Sequence, residues 1–205
     1  LAVRRRPGPL TLLATGDSDI QILQDLLAER VRPRGVRTVK DDHVSTGISN
    51  PTTLDWPAHT RAMVAAVHPD VSVVFVGGNE GYPLRTPSGA SAPCCGAAWV
   101  RAFARRASGM MRTLSRGGAG RVYWLLIPPP GVPPRAPLFR DVIDAVDRGY
   151  ELAAKEHPDT VTLVDLRKVF PAGSARQDDG YHLTSGGYRT LAQLLDRMLR
   201  RDGVI

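Results

Sequence analysis

The sequence is poor in lysine and aromatic residues and has no long apolar run. Lysine occurs only as Lys40, Lys155 and Lys168 among 27 basic residues, and aromatic residues make up 6% of the chain. Every apolar run is far shorter than the ~20 residues that cross a bilayer, so we expect no membrane-spanning segment. The basic residues are dispersed, which argues against nucleic-acid binding despite a formal net charge of +7.

Cysteine is equally scarce, since Cys94 and Cys95 are the two cysteines of the chain and are adjacent. Neighbours in sequence rarely form a disulfide because the ring that they close is strained. Two thiols alone also make a poor zinc site. We therefore expect two separate thiols in a loop or in a small apolar patch.

The length of 205 residues suits one domain with a full core. Residues 1–9, which include three consecutive arginines, are interpreted as a basic lead-in, and residues 10–205 as the domain. Because the chain begins with Leu1, we expect an upstream segment such as an export signal, a membrane anchor or a further domain. An extracytoplasmic location follows as an expectation.

Strand and helix patterns alternate along the domain. Short apolar runs predict buried strands at residues 10–15, 36–40, 71–76, 122–127 and 161–164. Apolar stripes predict helices at residues 20–30, 55–67, 97–114, 138–156 and 185–201. This order predicts an α/β fold in which a parallel sheet lies between two helical layers, with ligands gathering at the carboxyl ends of the strands.

Ser18, in the stretch GDS, directly follows the first predicted strand. On this stretch alone, a helix N-cap is the better interpretation, because a serine oxygen accepts well from the N–H groups of the first turn. The alternative is a nucleophile at the strand end.

The stretch DGYHLTSGGY near the other end of the chain favours the nucleophile. It places Asp179 three residues before His182 and opens a helix with Thr184 or Ser185 as its cap. A catalytic serine needs an imidazole to take its proton, and the imidazole needs a carboxylate to fix its tautomer. An Asp-x-x-His turn can meet the second need locally.

Two further loops offer oxyanion donors. Gly47, in VSTGISN after the second predicted strand, offers a backbone N–H, and Asn79, in VFVGGNEG after the third, offers a side-chain amide. Each alone is also typical of an ordinary turn. Taken in order, Ser18, Gly47, Asn79, Asp179 and His182 closely resemble the blocks of the SGNH or GDSL hydrolase superfamily, over residues 10–190. Glu80 departs from the family's Gly-x-Asn-Asp block, and Asp19 stands where the family often has leucine or a small residue.

The resemblance implies a three-layer α/β/α sandwich with a flavodoxin-like five-stranded parallel sheet of order 2-1-3-4-5. It implies that Ser18 is the nucleophile, His182 the general base and Asp179 its orienter. It further implies an oxyanion hole formed by the Ser18 N–H, the Gly47 N–H and the Asn79 side chain, with no cofactor and no metal. Looser matches, STGISNPTTLDWP and VYWLLIPPP, resemble a bacterial envelope-associated subgroup.

The expected function is a serine esterase that hydrolyses short O-acyl esters of a small molecule or a glycan. One alternative is an O-acyltransferase that passes the acyl group to a cell-envelope polysaccharide with the same residues. A second alternative is a non-catalytic glycan-binding domain, for which Asp19 and Glu80 are modest support, since carboxylates near the pocket disfavour an oxyanion. Tyr82 and the three tryptophans are candidates for pocket walls, although buried core is the more usual place for tryptophan.

Overall fold

The computed structural model describes residues 8–131, 136–171 and 173–205. The main strands are β1 (Thr11–Gly16), β2 (Arg37–Asp42), β3 (Val71–Phe75), β6 (Arg121–Leu125) and β7 (Val161–Val164). The helices are α1 (Ile20–Val31), α2 (Trp56–Val67), α3 (Ala97–Ser115), α4 (Ala136–Ala154) and α5 (Ser185–Arg201). Two short strands, β4 (Leu84–Arg85) and β5 (Ser91–Ala92), form a hairpin between β3 and α3.

Within the described residues, the central sheet has five strands in the order β2-β1-β3-β6-β7, and every pairing is parallel. Counted along the sheet's own strands, this is the predicted order 2-1-3-4-5. The order reverses at β1, whose neighbours are β2 on one side and β3 on the other. Ligand sites in such sheets lie beyond the carboxyl ends of the strands where the order reverses, which is where the chain leaves β1.

The sheet lies between two groups of helices. α1 packs against α5, while α3 packs against both α2 and α4. β1 and β3 are buried along their full length, as expected for central strands covered on both faces. β2, at the edge, is half-buried and polar, with the sequence RTVKDD. The α/β/α sandwich predicted from the alternating pattern is confirmed.

The predicted elements differ from the observed ones mainly at their ends. β1 and β2 run to Gly16 and Asp42, one and two residues past the predicted ends, so Ser18 lies two residues beyond its strand. The hairpin of β4 and β5 was not predicted, because two-residue strands leave no periodic signal. The lead-in at residues 1–9 falls largely outside the described residues, as do residues 132–135.

The expectation for the cysteines is wrong. Cys94 and Cys95 form a disulfide with each other. The peptide bond between them is cis and their Cα atoms are 3.1 Å apart, so the two sulfurs meet across one peptide unit. The pair lies just before α3.

Trp56, Trp99 and Trp124 are fully buried, as expected for core tryptophans, whereas Tyr82 is about half exposed. Among the helices of the described residues, the length and apolar character needed to cross a membrane are not found together.

Candidate active site

The turn after β1 brings Ser18 to the carboxyl edge of the sheet. A Cβ atom at Gly16 would lie 1.9 Å from the carbonyl oxygen of Phe75, so only glycine lets the two strands end this close together. The N–H of Asp17 donates to the same carbonyl oxygen at 3.2 Å. Ser18 is half-buried between Asp17 and Asp19, which are both buried. A buried turn therefore holds Ser18 in place and leaves its side chain accessible.

The Ser18 hydroxyl contacts a histidine from the far end of the chain. Its Oγ lies 2.9 Å from Nε2 of His182. Helix α1 begins at Ile20 and its N-cap position is Asp19, so Ser18 stands outside the helix. The N-cap interpretation of Ser18 is therefore wrong, because its hydroxyl faces an imidazole.

The other ring nitrogen of His182 faces Asp179. Nδ1 lies 2.5 Å from Oδ2 of Asp179, while Oδ1 accepts hydrogen bonds from the N–H groups of Tyr181 at 2.8 Å and His182 at 3.0 Å. The turn is closed by the Gln177 N–H, which donates to the carbonyl oxygen of His182 at 2.8 Å. Both oxygens of one carboxylate thus fix the histidine, one through its backbone and one through its ring.

Hydrogen bonds stabilise the charged form of Asp179 beside the His182 ring. Partial burial raises the pKa of Asp179, but hydrogen bonds from the His182 ring and from the two backbone N–H groups outweigh this effect and leave the pKa lowered. Thr184 caps α5 behind the turn, with its Oγ1 accepting from the Gly187 N–H at 3.2 Å. Asp179 can therefore orient the ring and stabilise a positive charge on it.

The Asp17 carboxylate links the turn that carries Ser18 to the loop that carries Asn79. Its Oδ2 accepts from the backbone N–H groups of Gly77 and Gly78, both at 3.1 Å, and from the Asn79 side-chain nitrogen at 3.4 Å. Its Oδ1 accepts from the Asp19 N–H at 3.1 Å. Burial raises the pKa of Asp17, and these donors oppose the rise. The Asp17 carboxylate thus places the Asn79 amide relative to Ser18.

Asp19 is linked to the histidine turn through Tyr181, whose hydroxyl donates to Asp19 Oδ2. Burial, reinforced by the nearby charge of Asp17, raises the pKa of Asp19 well above its ordinary value. The positive charge of Arg176 opposes this rise. A Cβ atom on Gly78 would lie 2.4 Å from the Tyr181 hydroxyl, so Tyr181 also packs tightly against the loop that carries Asn79.

Gly47 and Asn79 are direct neighbours. A Cβ atom on Gly47 would lie 2.6 Å from the backbone oxygen of Asn79, so a side chain at Gly47 would push the two loops apart. Glu80 holds the same loop, because its two carboxylate oxygens accept from the N–H groups of Ile48 at 2.6 Å and Ser49 at 2.7 Å. Burial raises the pKa of Glu80 to about 7, against the pull of these donors.

A cleft of about 370 Å³ adjoins Asn79 and is lined by Ser45, Asn79, Glu80, Gly81 and Tyr82. This volume is near the low end for ligand sites. The tryptophans, by contrast, are fully buried in the core. The cleft therefore has polar walls with one exposed aromatic ring.

All five residues predicted for the site lie at the carboxyl edge of the sheet. Ser18, His182 and Asp179 form a hydrogen-bonded chain, and Gly47 and Asn79 are in contact beside it. Sequence reasoning missed Asp17 and Tyr181 as organisers of the site, and Glu80 as the holder of the Gly47 loop. The signal available was weak: a charged residue between the glycine and serine of GDS, and an acidic residue after Asn79.

A family model described as "Protein of unknown function (DUF459)" matches residues 11–198. The chain belongs to this family. A search of curated proteins finds no match to the sequence. The family model spans the sheet and both ends of the candidate site, from the start of β1 into α5.

Solved structures share the fold of this DUF459 chain at low sequence identity. A lipase/acylhydrolase from Enterococcus faecalis matches with a TM-score of 0.69 and 18% identity, covering 94% of this chain and 96% of that one. A catalytic mutant of an acetylxylan esterase from Geobacillus stearothermophilus gives 0.65 and 14%, covering 94% and 95%. The similarity to the SGNH/GDSL superfamily is thereby confirmed for the fold.

The C-terminal catalytic domain of peptidoglycan O-acetyltransferase A from Streptococcus pneumoniae also matches. Its structure, with a methylsulfonyl adduct, gives a TM-score of 0.60 and 14% identity, covering 95% of this chain and 94% of that domain. The same fold thus occurs in proteins described as hydrolases and in one described as a transferase.

Proposed function

We propose that this DUF459 protein is a serine esterase that cleaves short O-acyl esters, such as acetyl esters, carried by a carbohydrate or another polar alcohol. The observation that carries the proposal is the chain of contacts from Ser18 Oγ through both ring nitrogens of His182 to Asp179, at 2.9 and 2.5 Å. Ser18 and His182 are 164 residues apart in sequence. Such an arrangement suits a nucleophile, its general base and the group that orients the base.

In the proposed reaction, Ser18 Oγ attacks the ester carbonyl carbon while His182 Nε2 takes the hydroxyl proton. The carbonyl π electrons move to oxygen and form a tetrahedral oxyanion. The oxyanion collapses, the bond to the alcohol oxygen breaks, and His182 returns the proton to that oxygen. Water, deprotonated by the same nitrogen, then attacks the acyl carbon and forms a second tetrahedral oxyanion. As this collapses, the bond from the acyl carbon to Ser18 Oγ breaks, the carboxylic acid is released, and His182 returns the proton to Ser18 Oγ. Asp179 remains ionised throughout and stabilises the imidazolium.

The oxyanion donors in this proposal are the Ser18 N–H, the Gly47 N–H and the Asn79 side-chain amide. An amide nitrogen carries two hydrogens, so Asn79 can donate one to Asp17 and the other to the oxyanion. Preorganised donors of this kind are worth roughly a hundredfold to a thousandfold in turnover each. The close approach of Gly47 to the Asn79 backbone shows that the two donors lie in neighbouring loops.

The small cleft lies beside Asn79, one of the proposed oxyanion donors, and its polar lining suits a polar carrier of the acyl group. The neighbours described as an acetylxylan esterase and a peptidoglycan O-acetyltransferase add support for acetyl esters of glycans. The carboxylates that favoured a non-catalytic glycan-binding domain each have donors of their own: Asp19 accepts from Tyr181, and Glu80 accepts from Ile48 and Ser49. These contacts weaken that alternative.

The proposal is tested by hydrolysis of p-nitrophenyl acetate. We expect Ser18→Ala to lower turnover by about 10⁴-fold or more, because the nucleophile is lost. Asn79→Ala should lower it by roughly 10²-fold to 10³-fold. Circular dichroism spectra like that of the wild type would show that both variants fold. Turnover in both variants equal to that of the wild type would refute the assignment.

An O-acyltransferase is the second candidate, and the structural similarity to the O-acetyltransferase domain from Streptococcus pneumoniae favours it. The proposed residues would act identically, but a sugar hydroxyl would replace water in the second step. Incubation with an acetyl donor and a glycan acceptor distinguishes the two. Free acetate as the main product supports the esterase, and acetylated glycan in excess over free acetate supports the transferase.

A further inference from the structure

A second group of histidine and aspartate side chains lies beside the proposed active site and takes no part in it. Asp41 is in β2, His43 directly follows that strand, and His59 is in the first turns of α2. His43 Nε2 lies 2.9 Å from Asp41 Oδ1, and His59 Nε2 lies 2.9 Å from Asp41 Oδ2. The two Nε2 atoms are 3.1 Å apart. Three ligand atoms, two from the end of β2 and one from α2, therefore converge on one point.

Neighbouring groups hold these side chains in place. Thr15 Oγ1 donates to Asp41 Oδ2 at 2.6 Å, and the Asp41 N–H donates to Gln24 Oε1 at 3.1 Å. The buried Trp56 ring packs edge-on against both imidazoles, with ring centres 5.7 Å away in each case. Orienting contacts of this kind are typical of the groups that surround metal ligands.

Hydrogen bonding alone accounts poorly for this geometry. A carboxylate only accepts, so each Nε2 would have to carry a hydrogen in order to bond to Asp41. Two N–H donors would then stand 3.1 Å apart with neither able to accept from the other. A cation removes the conflict, because both nitrogens and the carboxylate oxygen then offer lone pairs to the same centre.

The separations also suit a particular class of ion. Ligand atoms at ~2.0–2.1 Å from a tetrahedral zinc lie ~3.3 Å from one another, close to the 2.9 to 3.1 Å seen here. Magnesium and calcium prefer oxygen ligands throughout, whereas imidazole favours zinc and its neighbours in the transition series. His43 is one-third exposed and Asp41 nearly buried, so the cluster opens to solvent on the His43 side.

We propose that Asp41, His43 and His59 bind a zinc ion, with solvent completing the coordination. The ion would join the start of the loop at residues 43–55 to helix α2, and this loop carries Gly47. Thr46 already links the same parts, because it accepts from Trp56 Nε1 at 3.2 Å and donates to the His43 carbonyl oxygen at 2.6 Å. The site is independent of the proposed esterase activity and departs from the expectation that no metal is bound.

The test is zinc binding by the folded protein after treatment with EDTA. We expect isothermal titration with zinc chloride to give one ion per chain, and cobalt to give the visible absorption of a tetrahedral site. Zinc should raise the melting temperature, since a ligand that binds only the folded state stabilises it. His43→Gln and His59→Gln should each weaken binding by at least about tenfold and reduce the thermal shift.

Two controls make the result specific. His68→Asn changes an exposed histidine at the end of α2 and should bind zinc like the wild type. His182→Asn tests whether the ion binds at the serine and histidine of the other site, and should also keep zinc affinity. Absence of zinc binding by the wild type would overturn the proposal. Binding that survives in both glutamine variants, or that is lost in His182→Asn, would overturn it equally.

Discussion

Acidic side chains take two different positions around Ser18. The Asp179 side chain is 47% exposed and faces the ring nitrogen of His182. Asp17 is fully buried, and its two oxygens accept four hydrogen bonds, three of them from backbone N–H groups. Glu80 likewise accepts from two backbone N–H groups of the Gly47 loop. Asp179 faces the His182 ring, which can accept and donate a proton, whereas Asp17 and Glu80 hold the backbone of neighbouring loops.

The difference has a physical reason. A carboxylate that must stay charged is best left partly in water and hydrogen-bonded, and the lowered pKa of Asp179 fits this role. A carboxylate that only organises loops can be buried, provided that enough donors offset its desolvation. Asp17 and Glu80 accept such donors, yet burial still raises the pKa of both. Substitutions at the two kinds of carboxylate should therefore change different properties of the protein.

The largest effect is expected for Asp179→Asn on turnover. The asparagine amide would donate to His182 Nδ1 and place the ring hydrogen on Nε2, where it can no longer accept from Ser18. The same exchange in a buried triad costs about 10⁴-fold. Because Asp179 is partly exposed and water can share its role, we expect roughly 10²-fold to 10⁴-fold for p-nitrophenyl acetate.

The stability of Asp179→Asn should change little, and the exposed neighbour Asp178→Asn should match the wild type in both properties. A clear fall in the free energy of unfolding, together with turnover close to that of the wild type, would place Asp179 with the buried carboxylates. The difference drawn between Asp179 and Asp17 would then be wrong.

Asp17→Asn should act mainly on stability. The asparagine oxygen can keep the donors of Gly77 and Gly78, but its amide group would then face the Asp19 N–H, which loses its acceptor. A buried donor left unsatisfied costs about 1–3 kcal/mol, measured as the free energy of unfolding in urea. Asp25→Asn is the matched control, since it removes an exposed pair with Lys40 and exposed pairs are worth at most about 1 kcal/mol. Equal effects of the two substitutions would contradict the role given to Asp17.

The last effect, expected for Glu80→Gln, is on the pH dependence of stability and not on turnover. Folding raises the pKa of Glu80 from 4.5 to about 7. Between these values the folded chain keeps a proton that the unfolded chain has lost, so the contribution of Glu80 to stability falls as pH rises. Glutamine does not titrate, and urea midpoints at pH 5 and pH 8 should therefore differ less in the variant.

Glu29→Gln, at an exposed position, should keep the wild-type difference between pH 5 and pH 8. If Glu80→Gln also keeps it, Glu80 is not protonated by folding.

The elements of the sheet could be predicted because their signals are local. The apolar runs of β1 and β3 and the stripes of α3 and α5 are continuous in sequence, and their alternation leads to a parallel sheet. The strand ends were less predictable, because β2 continues to Asp42, where it still pairs with Gly16 of β1. The pairing of Cys94 with Cys95 was not predicted, because cysteines that are adjacent in sequence rarely form a disulfide.

The candidate site residues could be named from the sequence because Ser18, Gly47 and Asn79 follow strand ends, Asp179 and His182 precede α5, and their order resembles that of the SGNH/GDSL superfamily. The contacts that hold them could not. The hydrogen bond from Tyr181 to Asp19 joins residues 162 apart, and the convergence of His43 and His59 depends on the path of the loop between them. Neither contact corresponds to a fixed spacing of residues in the sequence, so neither could be recognised as a motif.

The proposed esterase activity requires Ser18 to be a nucleophile that His182 activates. The most direct measurement is labelling of the folded wild-type protein with a fluorophosphonate, followed by mass spectrometry of the labelled peptide. We expect one adduct per chain on Ser18, which is absent in Ser18→Ala and forms much more slowly in His182→Asn. Folded wild-type protein that stays unlabelled, or that carries the label elsewhere, would contradict it.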